Sequence, residues 1–293
     1  MAKARSIQAE LVRLAIQLAS HRTLDHLLYV CDLPLSVDVL PERSRVRRNL
    51  VQAVTTEAQR QVVEAMGIRT VLIPAYDLPR HEKFKIAIVG GIAAEILREG
   101  DTVLGLLGRS PTSFPDTVLL STIGKRQSDS PFSMVADIRV PSPVLEAVLS
   151  IAVAVAVEGW EGRPVGALFV LGDSAAVMES SRALTLNPFQ GYSEAERSIL
   201  NPDVREAIKN FAVLDGASVI REDGVVLAAG RYLLFDRSDL KVPLGLGARH
   251  TAAAGITRET QAIALAVSET SRKVRMFRAG QIVLEVEPVA PRR

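Results

Sequence analysis

The sequence predicts two consecutive α/β units: a parallel sheet layered between helices, then a unit built on a mixed sheet. Three observations carry this. Short apolar runs alternate with helix-length amphipathic segments through the first part of the chain, the pattern of a parallel sheet covered by helices. A polar, breaker-rich stretch, Gly124-Lys-Arg-Gln-Ser-Asp-Ser-Pro131, then interrupts that alternation and places the boundary between residues 1–128 and 129–293. Beyond it, two strand pairs are joined by tight turns, Glu222-Asp223-Gly224 and Ala279-Gly280, which makes hairpins and hence antiparallel pairing.

Element by element, Ile7, Leu11, Leu14, Ala15 and Leu18 share one face at helical spacing over residues 4–20. His26–Val30 is a buried strand, broken by Asp32-Leu-Pro-Leu35. Asn49–Val54 is the next strand, followed by a helix over Glu57–Met66 that Gly67 ends, and by a strand over Thr70–Pro74. A long helix over Arg80–Arg98 contains Gly90-Gly91, a pair suited to close packing or a kink. Thr102–Leu107 and Thr117–Ser121 complete the first sheet.

The second unit opens with an edge strand over Met134–Ile138. An almost wholly apolar helix follows over Ser142–Gly159, with Ser142 as its N-cap and Pro143 in the first turn, where a missing N–H costs nothing. Pro164–Leu171 is a buried strand. Ser193-Glu-Ala-Glu196 is a capping box that opens a short helix, and Asn201-Pro202 starts the next helix, to about Asn210. The strands Ser218–Arg221 and Val225–Leu234 form one hairpin. A helix follows Gly245-Leu-Gly247, and Ala262–Val267 leads to the final hairpin, Val274–Arg278 with Gln281–Val286.

Composition narrows the class of protein. With 48% hydrophobic and 23% charged residues the chain folds rather than staying disordered. A net charge of +2 gives no global field toward nucleic acid or a membrane surface, so neither partner is expected. The cluster Arg43, Arg45, Arg47 and Arg48 is a solvated face. One cysteine, Cys31, excludes an internal disulfide and a cysteine zinc cluster. No signal-type segment opens the chain, and the most apolar stretch, Val144–Val157, is too short to span a bilayer. A cytoplasmic protein is expected.

Two stretches carry the chemistry. Gly245-Leu-Gly-Ala-Arg-His-Thr251 puts glycines and an Arg-His pair at a helix start, where free N–H groups attract an anion and a guanidinium can fork onto phosphate oxygens. Leu214-Asp-Gly-Ala217 puts a carboxylate beside small residues, a setting for a divalent cation or an attacking hydroxyl. Together they point to nucleotide chemistry.

The order Asp215-Gly216-Ala217, then Ala228-Ala-Gly-Arg-Tyr-Leu233, then Gly247-Ala248-Arg249-His250, then Val267-Ser268-Glu269 resembles the diadenylate cyclase domain, from about Asn187 to Val286. That resemblance implies condensation of two ATP into cyclic di-AMP with release of pyrophosphate. It implies Asp215, Arg249 and His250 as catalytic residues, and Gly216, Ala217, Leu233, Gly247, Ala248, Arg249, His250, Thr251 and Ser268 as the ATP site. It also implies Mn2+ or Mg2+ held by Asp215, His250 and Glu269. A symmetric product made from two ATP requires two facing sites, hence a homo-oligomer of at least two copies. The family reads Gly-Thr-Arg-His-Arg where this chain has Gly247-Ala248-Arg249-His250-Thr251, which keeps a catalytically inactive ATP-sensing module as the alternative. Residues 1–128 resemble the C-terminal α/β domain of pyruvate kinase through the pattern from Ile96 to Gly108, which implies a role in assembly or regulation.

Overall fold

The computed structural model describes residues 2–21, 23–31, 35, 40, 44–108, 114–124, 140–238, 240 and 245–288. The chain divides into two compact units, 1–136 and 137–293.

In the first unit, α1 (Ala2–Ala19) precedes β1 (His26–Val30), and the short α2 (Arg45–Arg48) leads into β2 (Leu50–Val54). Then follow α3 (Glu57–Ala65), β3 (Arg69–Leu72), α4 (Arg80–Ala93), β4 (Thr102–Gly108) and β5 (Pro115–Thr122). The sheet runs β3-β2-β1-β4-β5. Its first four strands are parallel, as expected, but β5 returns antiparallel along β4 and forms an edge. Alternation along the strands sorts the helices into layers. Leu27 and Tyr29 of β1 and Leu104 and Leu106 of β4 pack with Ala15 and Ala19 of α1 and Val63 of α3. On the opposite face, α4 lies so close that a Cβ on Gly105 would come within 2.6 Å of Phe84, and one on Gly90 within 2.5 Å of Val71. The Gly90-Gly91 pair is therefore a packing contact inside an unbroken helix. That helix ends at Ala93 rather than Arg98, because Glu95 turns to φ +57°.

In the second unit, α5 (Ser142–Glu158) and β6 (Ala167–Leu171) are followed by α6 (Ser174–Glu179) and β7 (Ser181–Ala183). Next come α7 (Pro202–Phe211), β8 (Ala217–Ile220), β9 (Val226–Leu233), α8 (Ala248–Glu259), β10 (Ile263–Val267), β11 (Val274–Arg278) and β12 (Gln281–Val286). The sheet order is β12-β11-β10-β6-β8-β9-β7. Only β6 and β8 pair in parallel; the other neighbours are antiparallel, so the sheet is mixed. Leu168, Val170, Ala264, Ala266, Val219 and Phe277 form one apolar face, covered by Ala253, Ala254 and Ile256 of α8. The helix α5 packs on β6, β10 and β11 from the other side and is buried almost all round.

Two local expectations need correction. The N-cap of α5 is Pro141, not Ser142, whose hydroxyl instead donates to Glu146 at 3.2 Å inside the helix. The capping box at Ser193 is made, with Ser193 N–H donating to Glu196 at 2.9 Å, but it opens a single 3-10 turn rather than a helix. The short α6 and β7 have no counterpart in the sequence reading. The strand expected at Met134–Ile138 lies outside the described residues, as do the polar stretch from Lys125 to Pro131 and Asp32 to Pro34.

Candidate active site

Strand register gathers the sequence-predicted residues at one end of the second sheet. The end of β10 lies beside the start of β6, with Val267 opposite Ala167. Because β6 and β8 are parallel, with Phe169 opposite Ser218, the start of β8 falls in the same row. Antiparallel β9 then brings Arg231 opposite Ala217. Asp215, Gly166, Ser268 and the segment Arg231–Leu233 thus share one sheet end. Arg249 joins them from α8: a Cβ on Gly166 would lie 2.8 Å from the Arg249 Nη1 and 3.3 Å from the Val267 carbonyl oxygen.

Asp215 is exposed, and its Oδ1 accepts from the Gly216 N–H at 2.9 Å. Gly216 has φ +94°, and a Cβ there would sit within 2.7–2.9 Å of the Arg231 backbone. This glycine therefore serves the close crossing of β8 and β9, not open space for a ligand. Ala217 and Leu233 face the core, at 1% and 5% exposure, so Leu233 has little surface to give an adenine.

At the α8 start, Gly247 is the N-cap with extended backbone, and the His250 and Thr251 N–H groups both return to its carbonyl. Ala248 is exposed, and the Thr251 hydroxyl donates weakly to the Gly247 carbonyl at 3.4 Å. The Arg249 guanidinium has no acceptor among the described residues, and its Nε is buried without a partner. Other arginines nearby are occupied. Arg231 donates to Ser181 and to the Met178 carbonyl, and Arg272 donates to the Val157 carbonyl at 2.9 Å.

His250 is placed differently from expectation. It is 4% exposed, its Nε2 accepts from Arg275 Nη1 at 3.1 Å, and its ring meets Phe277 edge-on at 6.1 Å. Burial first, and then the Arg275 guanidinium, push the imidazole down to about 4, against the opposing pull of Glu285. Arg275 is in turn held by Glu285 at 2.6 Å. The Nε2, already facing a guanidinium, is a poor cation ligand. Ser268 accepts from the Ser271 N–H at 3.2 Å and caps its own turn, and Glu269 beside it is exposed. Among the described residues, no group of three His, Cys, Asp or Glu side chains could hold a metal on its own.

Comparison with known proteins identifies the family. Residues 154–282 match the model of the DisA bacterial checkpoint controller nucleotide-binding domain. A diadenylate cyclase of Haloferax volcanii is 34% identical over 71% of this chain and 76% of its own length. The chain belongs to the diadenylate cyclase family. It is accordingly an enzyme of the nucleotidyltransferase class. A diadenylate cyclase of Methanocaldococcus jannaschii is 35% identical over 69% of this chain, which spans 65% of that relative. A crystal structure of DacA from Staphylococcus aureus carrying two cysteine substitutions is 24% identical, covers 50% of this chain and 87% of that one, and has a TM-score of 0.32. Every residue of the candidate site lies inside the family match. No helix among the described residues is long and apolar enough to cross a membrane.

Two residues that shape the site escaped the sequence reading, Gly166 and Arg275. Each acts through a tertiary neighbour, and neither sits in a motif that a local pattern exposes.

Proposed function

We propose that this chain condenses two ATP into cyclic di-AMP and releases two pyrophosphates, with the active sites of two copies facing one another. The observation that carries this reading is the convergence of Asp215, Arg249 and Ser268 at one sheet end, with an Arg249 guanidinium that has no acceptor among the described residues. Arg249 is half-buried and its Nε is buried without a partner, which is costly, and a triphosphate supplies the counter-charge.

Each 3′-hydroxyl must lie in line with the α-phosphate of the other nucleotide. Two P–O bonds then form, two break as pyrophosphate leaves, and each attacking hydroxyl gives up its proton. Little covalent work falls to the protein, so position and charge dominate. Arg249 forks onto phosphate oxygens, and the start of α8 adds its positive dipole. Thr251 and Ala248 border that helix start, while Gly247 leaves the backbone open to phosphate. His250, neutral and hydrogen-bonded to Arg275, positions the first turn of α8 from behind.

An exposed carboxylate with one oxygen uncommitted suits a Mg2+- or Mn2+-type ion, which takes one or two carboxylates and relies on substrate phosphates for the rest. Asp215 fits that description, with exposed Glu269 at the same sheet end, and His250 does not. Such an ion, when bound, would neutralise charge on the reacting phosphates. Asp215 holds its site and lies beside the incoming ribose hydroxyl.

Incubation with ATP and Mn2+ or Mg2+ tests the reading: cyclic di-AMP and pyrophosphate are expected in a ratio of one to two. Ala248 and Thr251, which replace a hydroxyl and a guanidinium of the family pattern, favour a second reading as an inactive ATP sensor. ATP binding without product would select it.

The first unit is proposed to assist assembly, because its sequence carries no Walker-type phosphate loop and every candidate catalytic residue lies after residue 210. Tethering raises the effective concentration of the second site. A fragment starting near Asp129 is expected to cyclise ATP with a steeper dependence on protein concentration than the full chain. If the fragment is folded and paired yet inert, the division of labour fails.

A further inference from the structure

Gly166 stands immediately before β6, in the row of residues that forms the proposed ATP site. Its φ lies outside the left-handed region, so its backbone conformation is open to any residue. Space is what requires a glycine here. A Cβ would come to 2.8 Å from Arg249 Nη1 and 3.3 Å from both Arg249 Cζ and the Val267 carbonyl oxygen. The missing side chain leaves a slot between the start of β6 and the end of β10, and the Arg249 guanidinium lies in it. No protein acceptor fixes that guanidinium among the described residues, and its buried Nε has no partner. Among the described residues, packing sets its direction.

We propose that Gly166 is a positioning residue for Arg249: its bare backbone aims the guanidinium at the nucleotide phosphates, in place of a hydrogen-bonding partner. This deepens the reading of Arg249 as the phosphate ligand and rests on it. The physical logic is economical. A carboxylate holding the guanidinium would compete with the phosphate for the same donors, whereas a steric slot leaves them open. Restoring a methyl group at Gly166 fills the slot; its tightest contact is with the flexible end of Arg249, which turns away, while the Val267 carbonyl at 3.3 Å has to give by only a few tenths of an ångström.

The experiment is a double-mutant cycle on the full chain, with Gly166→Ala, Arg249→Ala and the combination. Affinity is measured for 3′-deoxy-ATP, which lacks the attacking hydroxyl and so binds without cyclising. Gly166→Ala is expected to weaken binding about tenfold to a hundredfold, the range for lost hydrogen bonds to a charged group. In the Arg249→Ala background the same change is expected to alter affinity by less than about twofold, since the group it displaces is absent. Equal losses in both backgrounds, or no loss in either, overturn the proposal. If Arg249→Ala itself binds normally, the phosphate role of Arg249 falls and this inference falls with it. If only Arg249→Ala is impaired, that role stands and this inference alone fails. Thermal melting covers poor folding of Gly166→Ala. A clash with Arg249 predicts that the double variant recovers stability, whereas equal destabilisation in both backgrounds places the clash on Val267 and overturns the proposal.

Discussion

Gly216→Ala separates two reasons for a glycine that sits beside the proposed catalytic carboxylate. With φ +94°, an alanine there enters left-handed backbone at about 1–2 kcal/mol. Its Cβ also meets the Arg231 carbonyl oxygen at 2.7 Å, the nitrogen at 2.8 Å and the carbonyl carbon at 2.9 Å. These are backbone atoms of β9, held by the Ala217–Arg231 pairing and by the Arg231 side chain on Ser181 and Met178, so they cannot swing aside. Overpacking of that kind costs about 1–3 kcal/mol more. The variant is therefore expected to lose about 2–5 kcal/mol, with the start of β8 pushed off β9. The single tryptophan, Trp160, lies in the second unit, so its fluorescence during urea unfolding follows this unit separately from the first. A midpoint lower by about 1–2 M is expected for a unit of this size. An unchanged midpoint with nucleotide binding lost would show that Gly216 makes room for ligand, and would refute the packing argument.

Further expectations follow from the same sheet end. Asp215→Asn keeps the shape but loses the charge proposed to hold a divalent ion, so ATP turnover is expected to fall by about a hundredfold or more with the melting temperature unchanged; normal turnover removes Asp215 from the site. Arg249→Lys is expected to retain more activity than Arg249→Ala, both well below wild type, because a point charge replaces a fork; equal activity of all three places the phosphate elsewhere. His250 has its folded pKa lowered from 6.5 to about 4, so the unfolded chain binds its proton first as pH falls. Its contribution to stability is present above pH 6.5 and is lost on descending toward pH 4, up to about 3 kcal/mol, and His250→Gln is expected to flatten that part of the urea-midpoint profile. His26, also lowered by burial, titrates in the other unit and remains in the variant as a control.

Much of the fold is legible where a local signal agrees with the tertiary one. His26–Val30, Val274–Arg278 and Gln281–Val286 follow from apolar runs closed by breakers, and Ala279 and Gly280 take the positive φ values that a tight hairpin turn requires. Elements sustained by distant partners are not legible. The six-residue α6 is too short for periodicity, and its Ser174 N–H and hydroxyl are satisfied by Glu222, forty-eight residues away. The direction of β5 is likewise not legible, because an edge strand reads the same either way. At the site, Asp215 and Arg249 announce themselves as charges beside small residues. The interior turn of His250 toward Arg275 does not, because one face of α8 carries alanines that give no contrast. Gly166 is silent for a related reason: the value of an absent side chain depends wholly on what stands beside it.

The central claim is that two copies of this sheet end must work together on two ATP. It is tested most directly by co-expressing wild-type chains with a growing excess of Asp215→Asn chains and measuring cyclic di-AMP formed per wild-type chain. Obligate pairing predicts that this rate falls in proportion to the wild-type fraction, to half in an equal mixture, as mixed pairs complete only one of the two bonds and leave a linear dinucleotide. A rate per wild-type chain that stays constant across the series would mean that each chain makes the product alone, and would contradict the account.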